Sequence, residues 1–574
     1  MIETEIADFS KAIGSKIISA AQAAALIQDG ATICAPIIGL AGWSEEIARA
    51  IAERYQETGH PKGLTLVCGS AMGNHKDKGP HVIGLEGLVT RFIGAHTHGS
   101  PNIGALIQDN KIHAYCFPQG VVVQLYREIA AKRAGMLTRV GLGTFVDPRI
   151  EGGKMNDLTR KAPDLNEVVT FNGEEYLWYK PFPIHVGLIR GTTADEKGNI
   201  SMEREGASLE ALQVAQAAKN SGGIVIAQVE YLAKAGTLHA RSVQVPGVLV
   251  DYVVISKNPQ EWHMQSEGIY YQPAFSGDVT MPLQALPPLP FDERLFILRR
   301  AALELEPDSV VNLGIGIPDR LATVAAHEGV TGMMTLTTEV GGVGGVPAGW
   351  PNFGMSYNAE AFVNHPSMFD WYDGGGIDQA FLGMGEIDKF GNVNVSKFNN
   401  RPIGCGGFIN ITTASKKVVF CGTFTTGGIK ATAAEGKMKI LQEGKRKKFI
   451  DHVEQITFSG KYAAKSNKPI LYVTERAVFR LSGGEVTLVE MAPGIDVEKD
   501  ILSQMEFKPR ISPDLKTMPE EIFYPEWGKL KQHIGRRKEA PIAALDSQAV
   551  QEGADRYCSD LDAMAHESPE EVPV

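Results

Sequence analysis

The 574-residue chain is too long for one hydrophobic core, so two to four domains are expected. With 43% hydrophobic and 21% charged residues it has the composition of an ordinary globular α/β protein rather than a disordered one. Its formal charge of −11 sits largely in residues 541–574, and the mildly acidic remainder argues against a nucleic-acid partner.

The first residues, MIETEIADFS, are acidic where a signal peptide is basic, so no secretion signal is expected. No apolar run reaches the length of a membrane span, the longest being 31–43 with Pro36 inside it. Six cysteines are scattered without a Cys-x-x-Cys pair or zinc-like spacing. These features together predict a cytoplasmic protein with no metal site and no membrane partner.

In chain order, SAAQAAALIQDG predicts a helix capped by Gly30, ATICAP a strand, and SEEIARAIAERYQETG a helix with Ser44 as N-cap. LTLVCG, VTRFIG and IHAYCF predict short strands, and PQGVVVQLYREIAAKRAG a turn and then a helix. That alternation predicts a parallel or mixed sheet. His96 and His98 lie between Gly94 and Gly99, where loop histidines are expected rather than metal ligands.

An internal repeat then appears. VGLIRGTTADEKGNISM (186–202) is echoed by QAFLGMGEIDKFGNVNVS (379–396), so that Asp195, Gly198 and Asn199 match Asp388, Gly391 and Asn392. GGIVIAQVEY (222–231) matches KKVVFCGTFT (416–425), and ATICAPIIGLAG (31–42) matches SVVNLGIGIPDR (309–320). Two homologous open α/β halves fused in one chain follow, with the active site between them. The expected divisions are 1–255, a Pro-rich linker at 256–292, a second half at 293–523, and an acidic extension at 524–574 with a packed start and a disordered finish.

The second half contains TLTTEVGGVGGVPAGW (335–350), a β-branched run ending on Glu339 and followed by glycines. A strand entering a loop at the carboxyl edge of a parallel sheet would place Glu339 in the ligand crevice as a nucleophile or base; a surface glutamate at a strand end fits the same pattern. The first half has Cys68, Ser70 and Ala71 in the corresponding stretch, so only one half carries the acid.

The chain resembles the class I coenzyme A transferases, most closely the fused acetate/propionate type. The resemblance rests on FPQGV (117–121), LTRVGLGTFVDPRIEGGKMN (137–156), RGTTADEKGNISMERE (190–205), VPGVLVDYV (245–253), LGIGIPD (313–319), EVGGVGGVPAG (339–349), DGGGIDQAFLG (373–383), GNVNVSKF (391–398) and GCGGFINIT (404–412). It implies that Glu339 attacks an acyl-CoA and then carries CoA as a glutamyl thioester, in ping-pong fashion, with CoA as substrate and covalent intermediate and no other cofactor. The implied partners are an acyl-CoA and a short-chain carboxylate such as acetate or propionate, and the family's habit implies a homo-oligomer.

The resemblance also assigns the GCGGF loop, with the amides of Gly406 and Gly407 as oxyanion donors beside Gly404 and Cys405. Gln119 is a candidate contact for the acyl or carboxylate end. Val340, in place of the small or polar residue many members have, would narrow the pocket or favour a more apolar acyl chain, with Gly341 and Gly342 helping to shape it. Asn392 and Asn394 are candidates to face the crevice, although the duplicate Asn199 suggests a turn role. Cys405 has no histidine in its stretch to activate it as a thiol nucleophile. The basic run Lys437, Lys439 and Lys445 to Lys448 is expected as a solvated helix face, and no dinucleotide or phosphate-loop fingerprint is present, so neither NAD nor ATP is expected. The rival readings are an acyl-CoA hydrolase using the same glutamate and a catalytically silent ligand-binding protein.

Overall fold

The computed structural model of the protein describes residues 16–282, 287–466 and 468–535. Its first half is built on seven strands: β1 (Thr32–Cys34), β2 (Leu64–Ala71), β3 (Val89–His96), β4 (His113–Cys116), β5 (Val186–Arg190), β6 (Ile224–Val229) and β7 (Tyr252–Ile255). They lie in the order β7-β6-β5-β1-β2-β3-β4, and every pairing is parallel. Strands covered on both faces are largely apolar, and all five residues of β5 are buried, with its one charged residue, Arg190, paired with Glu205.

Helices α1 (Glu45–Thr58), α2 (Gln119–Ala130) and α3 (Ala211–Asn220) cover this sheet. α1 stops where Gly59 takes the left-handed conformation, but the Ser44 hydroxyl donates to the Ile189 carbonyl at 2.9 Å instead of capping the helix. The Ala-rich helix is shorter than expected, Ala20–Ala25. A capping box of Ser19 and Gln22 starts it, and Gly30 lies in the next turn, where its N–H donates to the Lys62 carbonyl.

The second half comprises α4 (Glu293–Ala302), β8 (Val310–Leu313), β9 (Thr335–Thr337), β10 (Gly342–Val343), β11 (Ala361–Phe362), α5 (His365–Trp371), β12 (Gln379–Gly383), α6 (Phe408–Ala414), β13 (Lys417–Cys421), β14 (Ile470–Val473), β15 (Ala477–Ser482), β16 (Glu485–Met491) and β17 (Arg510–Thr517). The strand order is β11-β10-β9-β8-β12-β13-β14-β15-β16-β17. Its parallel centre, β14-β13-β12-β8-β9, repeats β7-β6-β5-β1-β2 strand for strand.

The ladders also correct the alignment of the repeat. Thr32 faces Thr65, and Val310 faces Thr335. With Thr32 aligned to Val310, the place of Glu339 falls in the first half on Gly69, between the cysteine and serine that sequence comparison put there. A one-residue slip is invisible in apolar runs but reverses which face a side chain occupies.

Each half has its own core, and a third apolar cluster lies between them: Ile38 and Leu209 from the first, Phe275 from the intervening segment, and Val340 and Met355 from the second. The segment 256–292 is therefore packed where it is described, with Phe275 fully buried. Leu530 and Ile534 bury the start of the C-terminal extension in the second core; residues 536–574 lie outside the described residues, as does Cys558. The basic run is not a helix. Lys437–Gln442 is a strand with Met438 inward and Lys437 and Lys439 exposed, a period of two, and Lys448 is buried. Among the described residues no helix is long and apolar enough to cross a membrane.

Candidate active site

Glu339 stands at the carboxyl end of β9, in the tight turn that leads back into β10. Thr338 accepts from the Gly341 N–H through its carbonyl and from the Gly342 N–H through its hydroxyl, closing that turn. Beneath it, Tyr372 Oη donates to Thr337 Oγ1 at 2.7 Å, and Thr337 donates on to the Val311 carbonyl. The turn thus rests on a fixed floor. Glu339 is only 6% exposed, and burial pushes its carboxyl above the ordinary carboxylate range, against the opposing pull of its own backbone N–H, of His365 and of a hydrogen bond from Gln119.

Gln119 reaches Glu339 from the other half because α2 begins there. The first N–H groups of a helix have no partner within it, and here the second half supplies them: Gln119 N–H donates to the Gly406 carbonyl at 2.9 Å and Gly120 N–H to Asn410 Oδ1 at 3.1 Å. A Cβ on Gly120 would lie 2.4 Å from Asn410 Nδ2, so only glycine permits this approach. Asn410 in turn donates to Asp373, whose carboxyl burial pushes up to about 7. Arg127 pairs with Asp370 farther along the same helix. The two halves are clasped around the residue that contacts Glu339.

The GCGGF loop belongs to this clasp more than to the expected oxyanion site. Gly404 is bridged to His96, and a Cβ there would lie 2.4 Å from the Ala95 carbonyl. Gly406 N–H donates to that same Ala95 carbonyl at 2.9 Å, which commits one of the two proposed donors to joining the halves. Gly407 precedes α6, and among the described residues its N–H meets no acceptor. Cys405 is inserted into the first half's core, its Sγ 3.7 Å from Cys116 Sγ, and burial pushes its thiol well up. A buried, protonated thiol is an inert one.

Other expected contacts turn out to be structural. Asn392 donates to Asp388 Oδ2 at 2.9 Å and accepts from Gly460 N–H, as Asn199 donates to Asp195 and accepts from Gly247 N–H in the first half. Asn394 donates to Glu386 and the Lys397 carbonyl while accepting from two backbone N–H groups, so its hydrogen-bonding capacity is spent. Val340 is fully buried in the cluster between the halves. Gly341 packs against the Val363 carbonyl and Gly342 against Thr338 and Ser356, which makes them hairpin residues. His96 and His98 form an aromatic group with His75 and Trp350, and no set of three potential ligands able to hold a metal occurs among the described residues.

Two residues at the site escaped sequence reading. His365, fully buried, accepts or donates at both ring nitrogens: Nε2 lies 2.9 Å from Gln119 Nε2 and Nδ1 lies 2.7 Å from Glu210 Oε2. Asn364 caps the helix that carries it, with Pro366 in its first turn. The only signal in NHPSMF is that of a helix start, and Glu210 reads as an ordinary acid at the head of α3. A chain of side chains, Glu210, His365, Gln119, Glu339, therefore crosses between the halves three times.

Comparison with known proteins agrees with this architecture. A family model described as "Coenzyme A transferase" matches residues 17–256. The chain is 53% identical over 528 residues to a caffeate CoA-transferase of Acetobacterium woodii, covering 91% of this chain and all of that one. It is 42% identical to the acetate CoA-transferase YdiF of Escherichia coli K12, over 88% of this chain and 95% of the relative. A crystal structure of the E. coli O157:H7 acyl-CoA transferase YdiF in a thioester complex with CoA superposes with a TM-score of 0.84 at 40% identity, covering 90% of this chain and 97% of that one. With two parallel-centred halves clasped around a buried glutamate, and relatives matched along nearly their whole length, this chain belongs to the coenzyme A transferase family.

Proposed function

We propose that the protein moves CoA from an acyl-CoA to a carboxylic acid, with Glu339 as the covalent carrier. The Glu339 carboxylate attacks the thioester carbonyl, CoA thiolate leaves, and a mixed anhydride forms. The thiolate then attacks the glutamyl carbonyl and expels the first acid, leaving a glutamyl-CoA thioester. A second carboxylate reverses both steps. One thioester replaces another, so the exchange is nearly isoenergetic and requires no ATP.

The observation that carries the reading is a buried carboxylate facing an amide donor from the opposite half. Each attack builds an oxyanion at the glutamyl or acyl carbonyl, and Gln119 Nε2 is our first donor for it, with Gly407 N–H in place of the committed Gly406. Removing such a donor typically costs about 3–4 kcal/mol of transition-state stabilisation. Ligands of open α/β sheets lie beyond the carboxyl ends of the strands where the order reverses. At that edge of the second half, after β8, a groove of about 530 Å³ lined by Arg294, Ile315, Asp319, Arg320 and Trp350 is where we place the nucleotide end of CoA.

For the acid we favour a short chain such as acetate or propionate, because Val340 fills the space between the halves beside the nucleophile. The test is to incubate the protein with acetyl-CoA, reduce with borohydride, and map the modified peptide. Modification within 335–350 at Glu339 is expected; full turnover with that peptide unmodified would overturn the mechanism. Assays with acetate, propionate and caffeate as acceptors decide the acid, and thioester loss without any acceptor would identify a hydrolase.

A further inference from the structure

The carboxylate of Glu210 is placed where a carboxylate has little reason to be. It is fully buried, it stands at the N-cap of α3 without making a capping bond, and its Oε1 has no hydrogen-bond partner. A buried charge left unpaired is strongly unfavourable. The partner it has is His365, through Oε2 at 2.7 Å. The residue before it, Leu209, is held at φ +50, a region leucine rarely enters, and its carbonyl accepts from the His365 N–H at 3.0 Å. Both the main chain and the ring of His365 are therefore tied to the turn at 209–210.

The duplication explains the space Glu210 occupies. Gly69 stands in the first half where Glu339 stands in the second, and a Cβ on Gly69 would lie 3.1 Å from Glu210 Oε1 and 2.5 Å from Val123 Cγ1. The first half has no side chain at that position, and Glu210 lies against the space.

We propose that Glu210 and His365 are positioning residues that hold the Gln119 amide with its N–H, not its carbonyl, toward Glu339. The proposal rests on the transferase reading above. Its logic is the polarity of the chain. A carboxylate only accepts, so Nδ1 of His365 carries a ring proton, and in the neutral ring Nε2 is left with a lone pair. Only the NH₂ group of Gln119 satisfies that lone pair, at 2.9 Å. We assign the second N–H of the same nitrogen to Glu339, whose carboxyl Gln119 helps to hold down. A flipped amide would set its oxygen against two acceptors, the ring nitrogen and the Glu339 carboxylate. An oxyanion donor is effective when its orientation is fixed before charge develops, and the dyad supplies that orientation from outside the crevice.

The experiment is a double-mutant cycle on the holo-chain, read as kcat and KM for CoA transfer from acetyl-CoA and as formation of the covalent CoA adduct. His365→Met is expected to lower kcat about a hundredfold, the scale of one lost donor, with KM changed less than about threefold. Gln119→Ala is expected to do the same, and the double variant to be no worse than the weaker single one, because His365 acts only through Gln119. His365→Gln, whose carbonyl oxygen reaches the place of Nε2, is expected to recover activity to within about tenfold of wild type. Additive losses, a change in KM alone, or a His365→Gln variant as poor as His365→Met would overturn the proposal. If His365→Met does not fold, Glu210→Gln runs the same cycle: its NH₂ can donate to Nδ1, shift the ring proton to Nε2 and turn the Gln119 amide away. A wild-type protein that transfers no CoA would overturn the transferase reading and this proposal together, whereas an active wild type with a fully active His365→Met overturns the dyad alone.

Discussion

Replacing Gly341 by alanine tests whether the hairpin that carries Glu339 is held as tightly as its geometry states. Gly341 has φ +123, and a Cβ there would lie 1.9 Å from the Val363 carbonyl oxygen, where ordinary contact begins at 3.4 Å. Backbone has to move by about 1.5 Å, the difference between those distances. That movement opens the bond from Val363 N–H to the Gly341 carbonyl and strains the adjoining β10–β11 pairing. Backbone strain of about 1–3 kcal/mol, a lost hydrogen bond of about 1 kcal/mol and overpacking of about 1–3 kcal/mol overlap, so a destabilisation of about 4 kcal/mol is expected. Two residues away, a carboxylate displaced by about 1 Å loses on the order of a hundredfold in kcat. Urea unfolding and steady-state CoA transfer measure the two effects. Gly316→Ala is the control: φ is +101 but nothing lies within 4 Å of the added Cβ, so it is expected to cost only about 1–2 kcal/mol of strain. A Gly341→Ala protein as stable as Gly316→Ala, with wild-type kcat, would refute the reasoning.

Three further outcomes are expected. Because burial raises the Glu339 carboxyl, its ionised form is lost as pH falls, and the acid limb of kcat/KM should have its midpoint above the ordinary glutamate value of 4.5. Gln119→Ala removes a group that lowers that value and should move the midpoint upward; a downward move counts against the contact. For Asp373, raised to about 7, the folded state binds the proton more tightly than the unfolded one, so stability falls as pH rises from about 4 through 7. Asp373→Asn should accordingly gain on wild type by on the order of 2 kcal/mol between pH 5 and pH 8, allowing for the carboxyl's partial exposure, and urea midpoints that keep a constant separation would contradict this. Cys405→Ala should lose about 1–2 kcal/mol of stability through its core position and keep kcat within a few-fold; a hundredfold loss without destabilisation would make the thiol a participant.

The fold and the candidate glutamate were legible in the chain for one reason: both are written in local patterns. Short apolar strands, the helix pattern of SEEIARAIAERYQETG, and the matched Asp-x-x-Gly-Asn turns at 195–199 and 388–392 each depend on residues a few positions apart, and the repetition of strands and turns revealed the duplication. The family's ordered motifs then singled out Glu339. What surrounds Glu339 is not local. Gln119, Glu210, His365 and Gly406 come from four segments, and nothing in FPQGV, SLEAL or NHPSMF announces that they meet. Only the packing of one half on the other decides that the Gly406 amide is spent on Ala95, that Asn394 is saturated within its own turn, and that a buried glutamate and histidine stand behind the Gln119 amide. Sequence by itself determined the elements, their repetition and the position of the candidate carboxylate, because helix and strand periodicity and turn chemistry act over a few residues. Tertiary structure decided which donors remain free to act on that carboxylate, because each hydrogen bond across the interface is a competition that no single segment contains.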